Sequence, residues 1–231
     1  MTDPNSSHQP VPWNLIDIAI ATAVVFASFF AIAELLRFVV NALEVEEQAF
    51  LAPWFIGLFD GLMLGAVWVF GIKKYHARWH TLGLRYPRAR WSFVLPWLAL
   101  LGSLAFTGIY VAIVKAFGAD FLLPLPIPDD VLGSGLQRLL STLVIGLWVP
   151  FTEEAFFRGF VLAGLIAPLG ATRAAVVSSV IFAVAHLTIG TLVPIFVTGM
   201  LLAWLYLRTR SIWPPIIAHA AQNLLALLAT S

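Results

Sequence analysis

Residues 149–159 read Val-Pro-Phe-Thr-Glu-Glu-Ala-Phe-Phe-Arg-Gly and lie within a long apolar stretch of the chain. An ionisable group inside a membrane-spanning segment is costly and therefore marks a functional site by default. Glu154 and Arg158 are four residues apart on one face of a helix, where they can form an ion pair. Glu153 lies about 100° around the helix from Glu154. Its carboxylate is left as a candidate general base or metal ligand.

The composition around this stretch indicates a membrane protein. Of the 231 residues, 61% are hydrophobic and 11% are charged, and the mean hydropathy is +0.93, whereas a soluble domain has about 25% charged residues. A water-soluble fold of this size would have too few polar residues to cover its surface. We therefore expect a single all-α membrane domain over residues 1–231.

Charge and cysteine content exclude several classes of function. The net charge of +1 gives no overall field that would favour nucleic acid as a partner. The chain has no cysteine, which excludes disulfides, thiolate metal sites and a cysteine nucleophile. The partner that the composition itself indicates is membrane lipid.

Seven apolar stretches approach the length of about 20 residues that a helix needs to cross the hydrocarbon core. A division of the long fourth stretch at Pro150 would make eight spans. The first stretch lacks a basic segment before it and is too long for a signal-peptide core, so we interpret it as a retained span. The predicted spans are 14–40, 51–72, 91–117, one within 135–166, 172–188, 191–207 and 213–229.

The loop at 73–90 sets the predicted orientation. It contains six Lys and Arg residues and no acidic residue, whereas the loops at 44–47 and 120–130 are acidic. Positively charged loops stay in the cytoplasm. We therefore predict that loop 73–90 and the N-terminus are cytoplasmic. The aromatic residues of the loop favour an anchor on anionic lipid rather than a nucleic-acid site.

Two later spans carry further polar residues. His186 lies in the fifth, and His219 and Asn223 lie four apart on one face of the seventh. By the helical rise, Glu153 and His186 both stand about 23 Å from the turn at 168–170. By the same rise, His219 stands only about 13 Å from the connection at Arg210. The three residues can still lie at one level of the membrane if the hairpin of spans four and five projects into the cytoplasm, or if span seven starts at depth.

These residue types provide the base, proton relay and oxyanion donors that acyl-transfer hydrolysis requires. The alternative is a structural cluster that only pins helix packing. Asp60 in the second span has Gly57 and Gly61 as neighbours, and we interpret it as structural.

The polar residues form three motifs that resemble the signature of the CAAX protease and bacteriocin-processing family of intramembrane peptidases (CPBP or Abi). The resemblance covers residues 135–229, the expected catalytic core, whereas residues 1–134 match only in being helical. It implies a helical bundle that encloses a polar cavity. The motifs are Glu153-Glu154-x-x-x-Arg158, Phe182-x-x-x-His186 and His219-x-x-x-Asn223.

The resemblance implies a role for each catalytic residue. Glu153, with His186, would activate a water to attack a peptide carbonyl. His219 and Asn223 would stabilise the oxyanion. This chemistry needs no cofactor.

The resemblance also implies supporting residues and leaves one alternative chemistry. Glu154 and Arg158 would support the site, with Glu154 orienting a histidine. Family members are often described as metalloproteases, and Glu153, His186 and His219 would then hold zinc.

The implied function is an endopeptidase that cuts a membrane-associated polypeptide, lipidated or not, in a bacterial or archaeal cell membrane. One alternative is a non-catalytic immunity or partner-binding scaffold that uses the same cavity. A proton-coupled transporter is the third reading, but no internal repeat supports it.

Overall fold

The computed structural model describes residues 11–43, 51–87, 91–124 and 132–229, and these residues form helices without strands. The acidic loop at 44–47 and part of loops 73–90 and 120–130 lie outside the described residues. Two short 3₁₀ turns, Trp79–Leu82 and Asp120–Leu122, accompany the long helices. The helices are α1 (Leu15–Leu43), α2 (Ala52–Lys73), α3 (Leu95–Ala116), α4 (Gly135–Leu169), α5 (Ala171–Ala185), α6 (Ile189–Thr209) and α7 (Trp213–Ala229).

The helices confirm the all-α prediction, and each lies where a span was expected. Five of them are long and apolar enough to cross a membrane, whereas α5 and α7 have 15 and 17 residues. The fourth does not divide at Pro150: α4 runs unbroken through it. Proline has no N–H to donate within a helix, and the π-helical segment Val144–Trp148 directly before it accommodates that loss.

Helix α4 is the centre of the bundle. It packs against α2, α5 and α7, and every residue from 154 to 165 is buried. A second π-helical segment, Ala155–Leu162, follows the two glutamates directly. Single π turns inside α-helices occur frequently at functional sites. The two glutamates thus lie at the start of the buried part of α4.

Contacts at one end of the bundle show which connecting segments lie on the same side of it. The Asp17 carboxylate at the start of α1 accepts hydrogen bonds of 2.5 Å from Lys74 Nζ and from the Tyr75 hydroxyl. The hydrogen bond to Asp17 raises the pKa of Lys74 and that of Tyr75. The start of α1 and loop 73–87 therefore lie together, as predicted.

The same loop contacts the connection between α6 and α7. Gly83 accepts a 3.0 Å hydrogen bond from the backbone N–H of Ile212, and Arg85 Nε donates to the Arg210 carbonyl at 2.7 Å. Leu82 is fully buried against Gly159 of α4, where no side chain would fit. The loop is thus docked into the bundle, on the side shared with the start of α1. That this side is cytoplasmic stays a prediction.

Cysteine labelling in intact cells tests the orientation, and the absence of native cysteine makes the background clean. We expect Asp120→Cys, at the opposite end of α3, to react with a membrane-impermeant maleimide added outside. Tyr86→Cys, whose parent side chain is 95% exposed, should react only after the membrane is permeabilised. The reverse pattern, or labelling of both from one side, would contradict the predicted topology.

Candidate active site

Glu154 and Arg158 form the ion pair that their spacing predicts. Arg158 Nη1 donates to Glu154 Oε1 at 3.0 Å, and both side chains are almost fully buried. The same Glu154 oxygen also accepts from His219 Nδ1 at 2.9 Å. This contact holds the His219 ring by Nδ1 and leaves Nε2 as the other ring nitrogen. The supporting role of Glu154 in catalysis stays a prediction.

Arg158 makes further contacts that hold this pair in place. Its Nη2 donates to the Gly199 carbonyl of α6 at 3.2 Å. Its guanidinium also lies over the Phe182 ring, 4.3 Å from the centroid, in a cation–π contact. A side chain at Gly199 would crowd Ser179 and Phe182, so glycine there lets α6 approach close enough to offer its carbonyl.

Glu153 faces the other nitrogen of the same histidine. Its Oε2 lies 3.6 Å from His219 Nε2 and makes no hydrogen bond with the described residues. The side chain is 14% exposed and borders a cavity of about 30 Å³, which is enough for a water molecule. Glu153 is thus the carboxylate that Arg158 does not neutralise directly, as its position on the helix predicts.

The cavity lies between α1, α2, α4 and the end of α5, and its walls are mainly apolar. Ala185 and Leu187, which flank His186, border the same cavity as Glu153. The expected level match between Glu153 and His186 is therefore confirmed. The wall residues on α1 and α2 are Val25, Phe26, Phe29, Phe59 and Met63.

His186 ends α5 and is partly buried. Its Nδ1 lies 2.8 Å from the Phe182 carbonyl, which can only accept, so Nδ1 carries the proton and Nε2 is free. No hydrogen bond joins His186 to Glu153 within the described ranges. The Phe182 ring packs edge-on against both His186 and His219, at 4.9 and 5.8 Å between centroids.

His219 lies beside Glu153, and α7 starts inside the bundle. Residues 211 and 212 before it are fully buried, and Trp213 packs 6.5 Å from Phe151, two residues before Glu153. Both expected explanations for the short count to His219, a projecting hairpin of spans four and five and a start of span seven at depth, stay predictions.

Asn223 points its amide at α4. Its Nδ2 donates to the Ile145 carbonyl at 2.9 Å, within the first π-helical segment. A side-chain amide has two N–H groups, so one donor remains beyond this bond. The role of Asn223 as an oxyanion donor stays a prediction.

Asp60 is closer to the site than its sequence context suggests. Thr152, the residue before Glu153, donates from Oγ1 to Asp60 Oδ1 at 2.5 Å, and both side chains are buried. Whether Asp60 meets Thr152 depends on how α2 and α4 are rotated about their axes, which the sequence does not show. The sequence indicates a role for Asp60 only because an acidic residue is rare in an apolar span.

The zinc alternative requires its three residues to lie together. Among the described residues, no three His, Cys, Asp or Glu side chains lie close enough together to hold a metal ion. The Nδ1 contacts of His219 with Glu154 and of His186 with the Phe182 carbonyl are of the kind that metal-bound histidines also make. A reaction without a metal ion therefore stays a prediction.

The buried pair predicts a stability effect at Arg158. Arg158→Ala strands Glu154 as an unpaired buried charge, and loss of one partner of such a pair costs about 3–5 kcal/mol. We expect a large fall in melting temperature and in folded yield, measured in detergent by size exclusion and thermal melting. Arg173→Ala, which removes an exposed arginine of α5, is the matched control and should melt as the parent does. Equal melting of both variants would contradict this account.

Comparisons with known proteins agree with the position of this site. The family described as "Type II CAAX prenyl endopeptidase Rce1-like" matches residues 135–225. "Putative membrane peptidase YdiL" of Bacillus subtilis is 33% identical over 94 residues, which are 41% of this chain and 37% of that protein. "UPF0177 protein YxdF" of Lactococcus lactis is 28% identical over 97 residues, 42% of this chain and 52% of that protein.

The matched part of the chain thus spans about a third to a half of the length of these curated relatives. No solved structure matches the chain. The matched segment begins at the start of α4 and contains all three motifs. Over residues 135–225 the chain matches the Rce1-like CAAX prenyl endopeptidase family, which confirms the resemblance that the motifs carry.

Proposed function

We propose that this protein is an intramembrane endopeptidase that hydrolyses a peptide bond of a membrane-associated polypeptide with water activated by Glu153. The observation that carries the proposal is the alignment of Glu153 Oε2 with His219 Nε2, 3.6 Å apart beside a cavity. The match to a CAAX prenyl endopeptidase family over residues 135–225 supports the same reaction class.

Glu153 is available to activate the nucleophile. At 3.6 Å, its Oε2 is too far from His219 Nε2 for a direct hydrogen bond, and its side chain borders a cavity large enough for a water molecule. Glu153 accepts a proton from a water in this cavity as that water attacks the carbonyl carbon. The proton then passes to the leaving amine, which completes hydrolysis.

The developing oxyanion needs donors on the other side of the carbonyl. His219, oriented through Nδ1 by Glu154, offers Nε2–H when that nitrogen is protonated. Asn223 offers its second amide hydrogen. His186, with Nε2 free, serves as the proton relay. These roles need no metal ion.

The apolar walls favour an apolar substrate segment. The phenylalanines of α1 and α2 line the cavity beside Glu153, so an apolar side chain next to the cleaved bond would meet apolar groups there, whereas a charged one would be desolvated without a partner. We propose a peptide with apolar residues near the cleaved bond as the substrate class.

Substitution of Glu153 tests the base directly. Glu153→Gln keeps the size but removes the base, so turnover should fall by about 10²–10⁴ while the protein folds normally. The measurement is the cleavage rate per folded molecule on a panel of prenylated and unprenylated CAAX peptides. Glu34→Gln, in an exposed ion pair near the end of α1, is the matched control and should cleave as the parent does.

Glu154→Gln distinguishes the two carboxylates. It removes the charge that balances Arg158, so its main loss should be in melting temperature rather than in turnover of the folded fraction. Near-normal turnover of Glu153→Gln with a well-folded but inactive Glu154→Gln would reverse the assignment. Unchanged activity of both variants in a cell-based assay would favour the non-catalytic scaffold.

Metal removal tests the chemistry independently. We expect cleavage to persist after exhaustive treatment with EDTA and 1,10-phenanthroline, because Glu153, His186 and His219 have roles that need no metal. The readout is cleavage by the chelated protein after desalting, with its metal content measured. Loss of activity that zinc alone restores would overturn the glutamate mechanism.

A further inference from the structure

A second cavity, of about 400 Å³, lies at the end of the bundle that carries loop 73–87, and it shares no lining residue with the Glu153 cavity. Its rim is basic and exposed: His76, Arg78 and His80 border it. Its floor is more enclosed and includes Arg85 and Tyr206. Nothing in the peptide hydrolysis proposed above uses these groups.

Tyr206 is a polar group that is open to a ligand in this cavity. The residue as a whole is 5% exposed, and it lines the cavity. Its hydroxyl forms no hydrogen bond with the part of the chain that the structure describes, and it is not sealed from solvent. Tyr206 lies within electrostatic range of Arg85 and Arg210, so the unsatisfied hydroxyl borders a cationic space.

Two hydrogen bonds hold Arg85 in place beside the cavity. Its Nε donates to the Arg210 carbonyl at 2.7 Å, and its own carbonyl accepts from the Ser211 hydroxyl at 2.6 Å. The first bond fixes the side chain and the second fixes the backbone, and neither uses the two terminal amino groups of the guanidinium. That planar fork matches the geometry of phosphate and carboxylate oxygens.

The positive charge of this cavity is not balanced by its own lining. No acidic residue lines it among the described residues. The nearby Asp17 is already engaged by Lys74 and Tyr75. A partly enclosed group of arginines without a counter-charge attracts an anion.

We propose that this cavity is a binding site for a phosphate group, carried by either an anionic lipid headgroup or a soluble phosphate. Arg85 and Arg78 contact the phosphate oxygens, and the Tyr206 hydroxyl donates to one of them. The apolar part of the lining, Val11, Pro12 and Ile166, accommodates the glycerol or carbon portion of the ligand. This phosphate site does not depend on whether the protein cleaves peptides.

The test measures the ligand-dependent shift in melting temperature of the purified full chain in detergent. Phosphatidylglycerol is titrated in one arm and inorganic phosphate in another, with diacylglycerol as the lipid without phosphate. Tyr206→Phe removes only the hydroxyl and no charge. We expect its apparent affinity to fall about tenfold, as for the loss of one hydrogen bond to a charged group. Arg78→Ala should lose at least as much.

Lys73→Ala is the matched control, since it removes one positive charge from the same loop outside the cavity. Its loss should not exceed about fivefold, the effect of one surface charge near an anionic headgroup. A shift with phosphatidylglycerol alone identifies a lipid site, and a shift with inorganic phosphate identifies a soluble ligand.

Two results would overturn the proposal. One is the absence of a shift with either phosphate compound. The other is parent-like affinity of Tyr206→Phe together with equal losses in Arg78→Ala and Lys73→Ala, which would mean that only the surface charge of the loop attracts anions. All three variants are compared only as folded material recovered from size exclusion.

Discussion

A fully buried arginine in an apolar bundle must have its charge matched, and the rest of this structure depends on how that is done for Arg158. Unpaired charge in a low-dielectric interior is prohibitive. Glu154 supplies the counter-charge from the same helix, and the remaining contacts come from other helices: His219 of α7 binds Glu154, and the Gly199 carbonyl of α6 binds Arg158. The ion pair therefore joins three helices and also fixes the histidine that faces Glu153.

Much of this arrangement could be predicted from the sequence because lipid imposes simple rules. Span length and charge placement predict the seven helices, and the four-residue spacing of Glu154 and Arg158 predicts their pair. The comparisons confirm the family resemblance over the motif-bearing segment. The rotation of each helix about its axis is set by packing of all its neighbours. For that reason the sequence does not show that Thr152 donates a hydrogen bond to Asp60. It also does not show that Glu153 faces His219 and makes no hydrogen bond to His186 within the described residues.

The two π-helical segments of α4 could not be predicted either, although their use is clear in the structure. A wider turn changes the direction of backbone carbonyls, and in both segments a side chain from elsewhere binds one of them. Asn223 donates to the Ile145 carbonyl before the glutamates, and Trp13 donates to the Phe160 carbonyl at 2.9 Å after them. Side chains of other elements thus bind α4 both before and after Glu153 and Glu154. These two bonds limit rotation of Glu153 relative to its neighbours.

The docking of loop 73–87 has a consequence for biosynthesis. The partner of Gly83 is Ile212, at the start of α7, and Arg85 likewise binds Arg210. During translation the loop is therefore made long before the residues that hold it, and His219 is made well after Glu154 and Arg158. The nascent chain carries Glu154 and Arg158 into the membrane as a pair, without their third member. The cluster of Glu154, Arg158 and His219 becomes complete only when α7 has joined the bundle.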